Sequence, residues 1–98
     1  MTPFAQHINE SQEYYDKRVT DEPGNKEAWL YRGLYYLDTF GRYDEALENF
    51  DTALDLDPEY ALAWYAKGIT LVNMNRINES EICFEKALYY DPDLARYK

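Results

Sequence analysis

Apolar residues recur at steps of three and four along most of this chain, which predicts amphipathic helices. In the first run Phe4, Ile8, Tyr15 and Val19 share one stripe with Ser11, and Thr2-Pro3 offers a cap followed by proline at the first helical position. Glu22-Pro23-Gly24-Asn25 interrupts the pattern, with Asn25 able to cap the helix that follows. That second helix is expected over Lys26 to Thr39, and later ones over Tyr43 to Leu56 and Ile77 to Tyr90. Between these last two lies another helical run with Leu62, Tyr65, Ile69 and Val72 on one stripe. Gly41 and Asn75 suit the left-handed residue that ends a helix.

The pattern repeats. Ala28-Trp29-Leu30-Tyr31-Arg32-Gly33, closed by Asp57-Pro58, is echoed by Ala63-Trp64-Tyr65-Ala66-Lys67-Gly68, closed by Asp91-Pro92. Trp29 to Trp64 and Gly33 to Gly68 are each 35 positions apart, and Phe50 to Phe84, Ala53 to Ala87 and Pro58 to Pro92 are each 34. A period in this range marks a repeat array. With Trp29, Gly33, Tyr36, Ala46, Phe50 and Pro58 in the first copy and Trp64, Gly68, Phe84 and Pro92 in the second, the chain resembles the tetratricopeptide repeat (TPR) family. It departs from that family's pattern at Leu71, where an aromatic is usual, at Ser80, where alanine is usual, and at Arg32 and Lys67, where leucine is usual.

The resemblance implies an all-α fold of antiparallel helix hairpins stacked as a short right-handed TPR solenoid of about five helices. The units would be an N-terminal helix over 1–24, repeats over 25–58 and 59–92, and the start of an incomplete repeat over 93–98. Pro23 to Trp29 is six residues, as is Pro58 to Trp64, which aligns the N-terminal segment with the second helix of a repeat. Mid-helix Gly33 and Gly68 would each cost about 1 kcal/mol against alanine, so their presence implies close approach by the paired helix. The inward faces of the second helices read Tyr43, Ala46, Leu47, Phe50, Ala53, Leu54 and Ile77, Ser80, Phe84, Ala87, Leu88. The first copy holds one extra residue, within Leu37-Asp38-Thr39-Phe40, as a longer turn or a helical bulge that displaces Phe40 relative to Met74.

Composition narrows the function. With 19 acidic and 10 basic residues the net charge is −9, which works against any nucleic-acid role. Eight acids between Asp38 and Glu59 against the one cation Arg42 make a solvated face or a dock for a basic partner. Cys83, the only cysteine, cannot form an internal disulfide, and a reducing, cytoplasmic setting is the default. No apolar run reaches the length of a membrane span, so no membrane partner is expected. His7 is expected on the surface of the first helix; Asp51, Asp55 and Asp57 lack calcium-loop spacing. With no phosphate loop, nucleophile motif or metal cluster, neither enzyme activity nor a cofactor is expected.

What remains is surface. The stripe beside the hairpin contacts carries Leu30, Tyr31, Leu34 and Leu37 in the first copy and Leu62, Tyr65, Ala66, Ile69 and Val72 in the second. In the TPR family this concave face binds peptides, and its best-known variety clamps a terminal carboxylate with Lys, Arg and Asn side chains; that clamp is missing here. Such a face needs a cover, either the N-terminal helix and the curvature of the array, or an apolar segment of a partner. At the other end Ile82 and Tyr89 stand where the first copy has Glu48 and Asp55, and Asp93 to Lys98 matches the opening of a further repeat. Either the natural protein continues there or another chain supplies the cap. The reading is a protein-interaction scaffold that binds a protein or peptide in its groove and self-associates as a homo-oligomer, a dimer by symmetry, through Ile82, Tyr89 and Leu94 at its C-terminal end or through Leu34, Tyr65 and Ile69 in the groove. The alternatives are a monomeric peptide-binding adaptor and an accessory domain of an enzyme complex.

Overall fold

The computed structural model describes residues 3–97, with side chains from 11 to 96. The expectations for Thr2, Phe4, His7 and Ile8 lie outside the described residues. Five helices follow in order: α1 (Pro3–Asp21), α2 (Lys26–Tyr35), α3 (Tyr43–Leu56), α4 (Ala61–Asn73) and α5 (Ile77–Tyr90), with a closing 3₁₀ segment (Pro92–Tyr97). α2 packs against α3 and α4 against α5 as antiparallel hairpins, α1 lies on α2, and α3 meets α4 between the hairpins. The result is an elongated body of 44 × 29 × 23 Å.

The helix limits have local causes. Asn25 is extended, and its side chain accepts a hydrogen bond from the Glu27 N–H at 3.0 Å, satisfying a donor that the first turn leaves free. Gly41 and Asn75 take φ of 62° and 61°, the left-handed conformation that ends a helix. Before Gly41 the backbone of α2 continues as one π-helical turn, Tyr36–Phe40, which absorbs the extra residue of the first copy. The bond that closes each hairpin is nevertheless conserved in kind. The Arg42 N–H donates to the Tyr36 carbonyl at 3.2 Å, and the Arg76 N–H donates to the Leu71 carbonyl at 2.8 Å. Phe40 is displaced by the π turn onto Tyr35 and Tyr36, where the Arg42 guanidinium covers its ring at 4.6 Å.

Each hairpin is held by a phenylalanine ring seated on a glycine. A Cβ at Gly33 would come within 2.5 Å of Phe50 Cε1, and one at Gly68 within 2.6 Å of Phe84 Cε1. Around Phe50 lie Leu30, Ala46, Ala53, Leu54, Ala63 and Ala66, all buried, with Trp29 and Trp64 packed on the outside. Both tryptophans are half-buried against this core, and each donates its indole N–H to a backbone carbonyl. Trp29 Nε1 bonds the Pro23 carbonyl at 2.9 Å and Trp64 Nε1 bonds the Pro58 carbonyl at 2.8 Å. The shared six-residue Pro-to-Trp spacing is this bond.

Two of the departures from the family pattern are accommodated simply. Leu71 is buried at the place of Tyr36, and the buried Ser80 donates its hydroxyl to the Ile77 carbonyl at 2.6 Å, so a polar residue fits where alanine is usual. Tyr43 and Ile77, expected to face inward, are exposed instead. They stand at the first residue of α3 and α5, at the end of each hairpin, where their own helix flanks them on one side only.

Gly33→Ala is expected to destabilise the fold by about 1–3 kcal/mol, reversing the gain of about 1 kcal/mol that alanine brings to an ordinary helix interior. Gly68→Ala should cost less, since Phe50 is fully buried and cannot swing aside whereas Phe84 is only partly buried. Urea unfolding midpoints check both, and a midpoint for Gly33→Ala at or above the parent's would contradict the contact.

Candidate binding groove

The groove is shaped by where the cations of α2 and α4 go. Arg32 points away from it toward α1 and α3, with Nε donating to Asp16 Oδ1 at 2.9 Å, Nη1 to Asn49 Oδ1 at 3.3 Å and Nη2 to the Tyr36 hydroxyl at 3.1 Å. The Tyr36 hydroxyl in turn donates to Asp16 at 3.0 Å, and burial with the Asp16 bond holds this phenol above its ordinary pKa. Lys67, at the same place in the second copy, donates to Asp51 at 2.7 Å. Asp16 and Asp51 are 35 positions apart, as are Arg32 and Lys67, so one ion pair recurs at each junction between a second helix and the next first helix. These pairs explain the cations that stand in place of the family's leucine.

The third cation, Lys26, donates to Asp57 and lies 4.7 Å from the centre of the Tyr60 ring. That bond holds the Asp57 carboxyl below its ordinary range. Tyr60, at the head of α4, is pushed up to about 12, by burial first and then by the charge of Glu27 and its neighbours.

With its cations drawn elsewhere, the facing strip of α2 and α4 is apolar. Leu30, Tyr31, Leu34, Leu37, Leu62, Tyr65, Ala66 and Ile69 line a hollow of about 340 Å³, and Asp38 is the one charged residue among its walls. Leu30 is buried and forms the floor, shared with the core. Tyr31, Leu62 and Ile69 are exposed, and so is Val72, which lies beyond the hollow. No described residue of α1 lines it, so the expected cover by the N-terminal helix is not found among the described residues.

At the other end the expected contact residues part company. Ile82 and Tyr89 are 55% and 81% exposed on α5, whereas Leu94 is 4% exposed and is therefore unavailable as a surface contact. Leu94 is the third residue of the 3₁₀ segment, at the place Tyr60 holds before α4, and this segment packs back onto α5. Cys83 is buried and its thiol raised, as befits a packing residue. Among the described residues no group of His, Cys, Asp or Glu could hold a metal ion, and no helix is long and apolar enough to cross a membrane.

A family model for the tetratricopeptide repeat matches residues 39–98. An uncharacterised protein of Methanocaldococcus jannaschii is 31% identical over 93 residues, covering 95% of this chain and 90% of that protein. Superkiller protein 3 of Saccharomyces cerevisiae is 30% identical over 81 residues, 83% of this chain but 6% of that one. Among solved structures, MamA superposes with a TM-score of 0.80 at 20% identity, over 96% of this chain and 54% of its own. A second MamA structure reaches 0.78 at 28% identity, over 91% and 52%. The second TPR of Spaghetti (RPAP3), bound to HSP90 peptide SRMEEVD, gives 0.78 at 24% identity, over 86% of this chain and 77% of that one. The chain thus spans nearly the whole of one relative and about half of MamA.

Tyr60 is expected to ionise near 12 when the absorbance at 295 nm is titrated in the parent and in Tyr60→Phe and the curves subtracted. A phenol held above its ordinary value stabilises the fold fully below that value, and its contribution is lost as pH rises through the shifted one. Thermal stability should therefore fall between pH 10 and about 12 more steeply in the parent than in Tyr60→Phe. A difference curve centred on 10.0 would contradict the placement of Tyr60.

Proposed function

The chain belongs to the tetratricopeptide repeat family, and from that premise we propose that it is a non-catalytic interaction module holding an apolar segment of a partner protein between α2 and α4. The observation that carries this is the hollow itself: Tyr31, Leu62 and Ile69 lie exposed side by side over a floor of Leu30 and Ala66, with no described part of the chain laid on them. An apolar strip of this kind is a site for another surface. That the TPR of Spaghetti was solved with a peptide supports the reading only in that such a fold can hold one. A cytoplasmic setting belongs to the same proposal, supported by the single cysteine.

Self-association is a second reading, favoured by α5. Its Ile82 and Tyr89 are exposed where α3 carries the charged Glu48 and Asp55, so at these two positions the outer face is apolar on one hairpin and acidic on the other. A two-fold contact through α5 would cover both.

Panning random dodecapeptides displayed on phage tests the first reading. Apolar sequences should be enriched by the parent, and Leu62→Asp, at an exposed position in the first turn of α4, should abolish that enrichment while leaving the melting temperature within a few degrees. Enrichment indifferent to this substitution would move binding away from the groove. For the second reading, light scattering of the parent should give a dimer mass that Ile82→Glu with Tyr89→Asp reduces to a monomer. A monomeric parent would end it.

A further inference from the structure

We propose that the groove selects a segment whose apolar residues are flanked by lysine or arginine, with a cation seated against Asp38; this rests on the groove being the binding surface. The argument is one of charge. Asp38 is the sole ionic group lining the hollow, it is exposed, and no cation among the described residues pairs with it. Every cation that α2 and α4 carry is already engaged, Lys26 with Asp57, Arg32 with Asp16 and Lys67 with Asp51. None of them lines the hollow.

A second carboxylate, Glu27, stands one helical turn before Tyr31. Glu27 is exposed in the first turn of α2, close enough to Tyr60 and Tyr31 for its charge to bear on the Tyr60 phenol. From Glu27 to Asp38 is eleven residues, through α2 and into the π turn that continues it, about 16 Å at the helical rise. Two acids thus bracket an apolar strip. A ligand matches it with an apolar centre and a cation at each end, separated by about three helical turns or about five extended residues.

Other occupants fit less well. A segment ending in acids, as SRMEEVD does, would bring carboxylates to a wall that holds a carboxylate and offers no cation. A second copy of this chain offers its exposed Ile82 between Glu81 and Glu85, so in this groove it would bring carboxylates to the wall that holds Asp38. The hollow on the other side, near Ile82, has its charges satisfied: Lys67 with Asp51, Arg76 with Glu79, and Lys86 over the Trp64 ring.

The experiment is to compare the flanking charges of dodecapeptides selected from the phage library by the parent and by Asp38→Lys. That substitution puts a cation near a helix C-terminus, where the helix dipole favours it, so folding is preserved and is checked by circular dichroism. Peptides selected by the parent should carry Lys and Arg beside their apolar positions, and those selected by Asp38→Lys should carry Asp and Glu. A synthetic peptide from the first set should lose affinity on the order of tenfold toward Asp38→Lys at low salt. It should recover when its flanking lysine is changed to glutamate. Apolar peptides with neutral or acidic flanks, lost with Leu62→Asp, would overturn the charge preference and leave the groove standing. Failure of any groove-dependent selection would overturn both, as would a free chain that scatters as a dimer and becomes a monomer with Leu62→Asp.

Discussion

Everything in this molecule is placed by the seating of two phenylalanine rings on two glycines. Because Phe50 and Phe84 lie where a Cβ at Gly33 or Gly68 would have to be, the two helices of each hairpin approach more closely than side chains ordinarily allow. That approach fixes which face of α2 and α4 is spent on the hairpin. The face left over is then determined by helical geometry, and it is the face that lines the groove. The small residues Ala46, Ala53, Ala63 and Ala66 extend the same logic to the junction between hairpins, where they let Leu30, Leu54 and the edges of both tryptophans pack.

A second, electrostatic regularity is laid over the first. The pairs Asp16–Arg32 and Asp51–Lys67 join each second helix to the following first helix at the same register. As part-exposed ion pairs they contribute little to stability, on the order of 1 kcal/mol or less each. Their larger consequence is where they hold charge. Had Arg32 and Lys67 turned the other way, the concave face would carry two cations beside Asp38. Instead it is apolar with a carboxylate in its wall, which makes it unlike an anion clamp.

The helices were legible in the sequence because periodicity, caps and breakers agreed: Asn25, Gly41 and Asn75 act as their types suggest. The extra residue was legible as to place, and the structure resolves its form as a π turn. The apolar groove walls were legible because a helix with two apolar stripes has only one partner hairpin to cover them. Three things were hidden. Periodicity names the face of a helix but not where its cover ends, so Tyr43 and Ile77 were placed inward although, at the first residue of their helices, they are exposed. Leu94 was placed at the surface, yet its alignment with Tyr60 through the 34-residue step from Pro58 to Pro92 marks it as an anchor. The ion-pair ladder was present as two 35-residue spacings, Asp16 to Asp51 and Arg32 to Lys67, that become a signal only when read together.

The central claim is that the free face of α2 and α4 is where this chain meets its partner. Amide chemical shifts of the ¹⁵N-labelled chain, followed while a groove-selected peptide is added, test it most directly. The account predicts that the largest changes fall on residues 30–38 and 62–69, with the outer faces of α3 and α5 little affected. Changes centred on Glu48, Asp55, Ile82 and Tyr89, with the groove residues still, would contradict it.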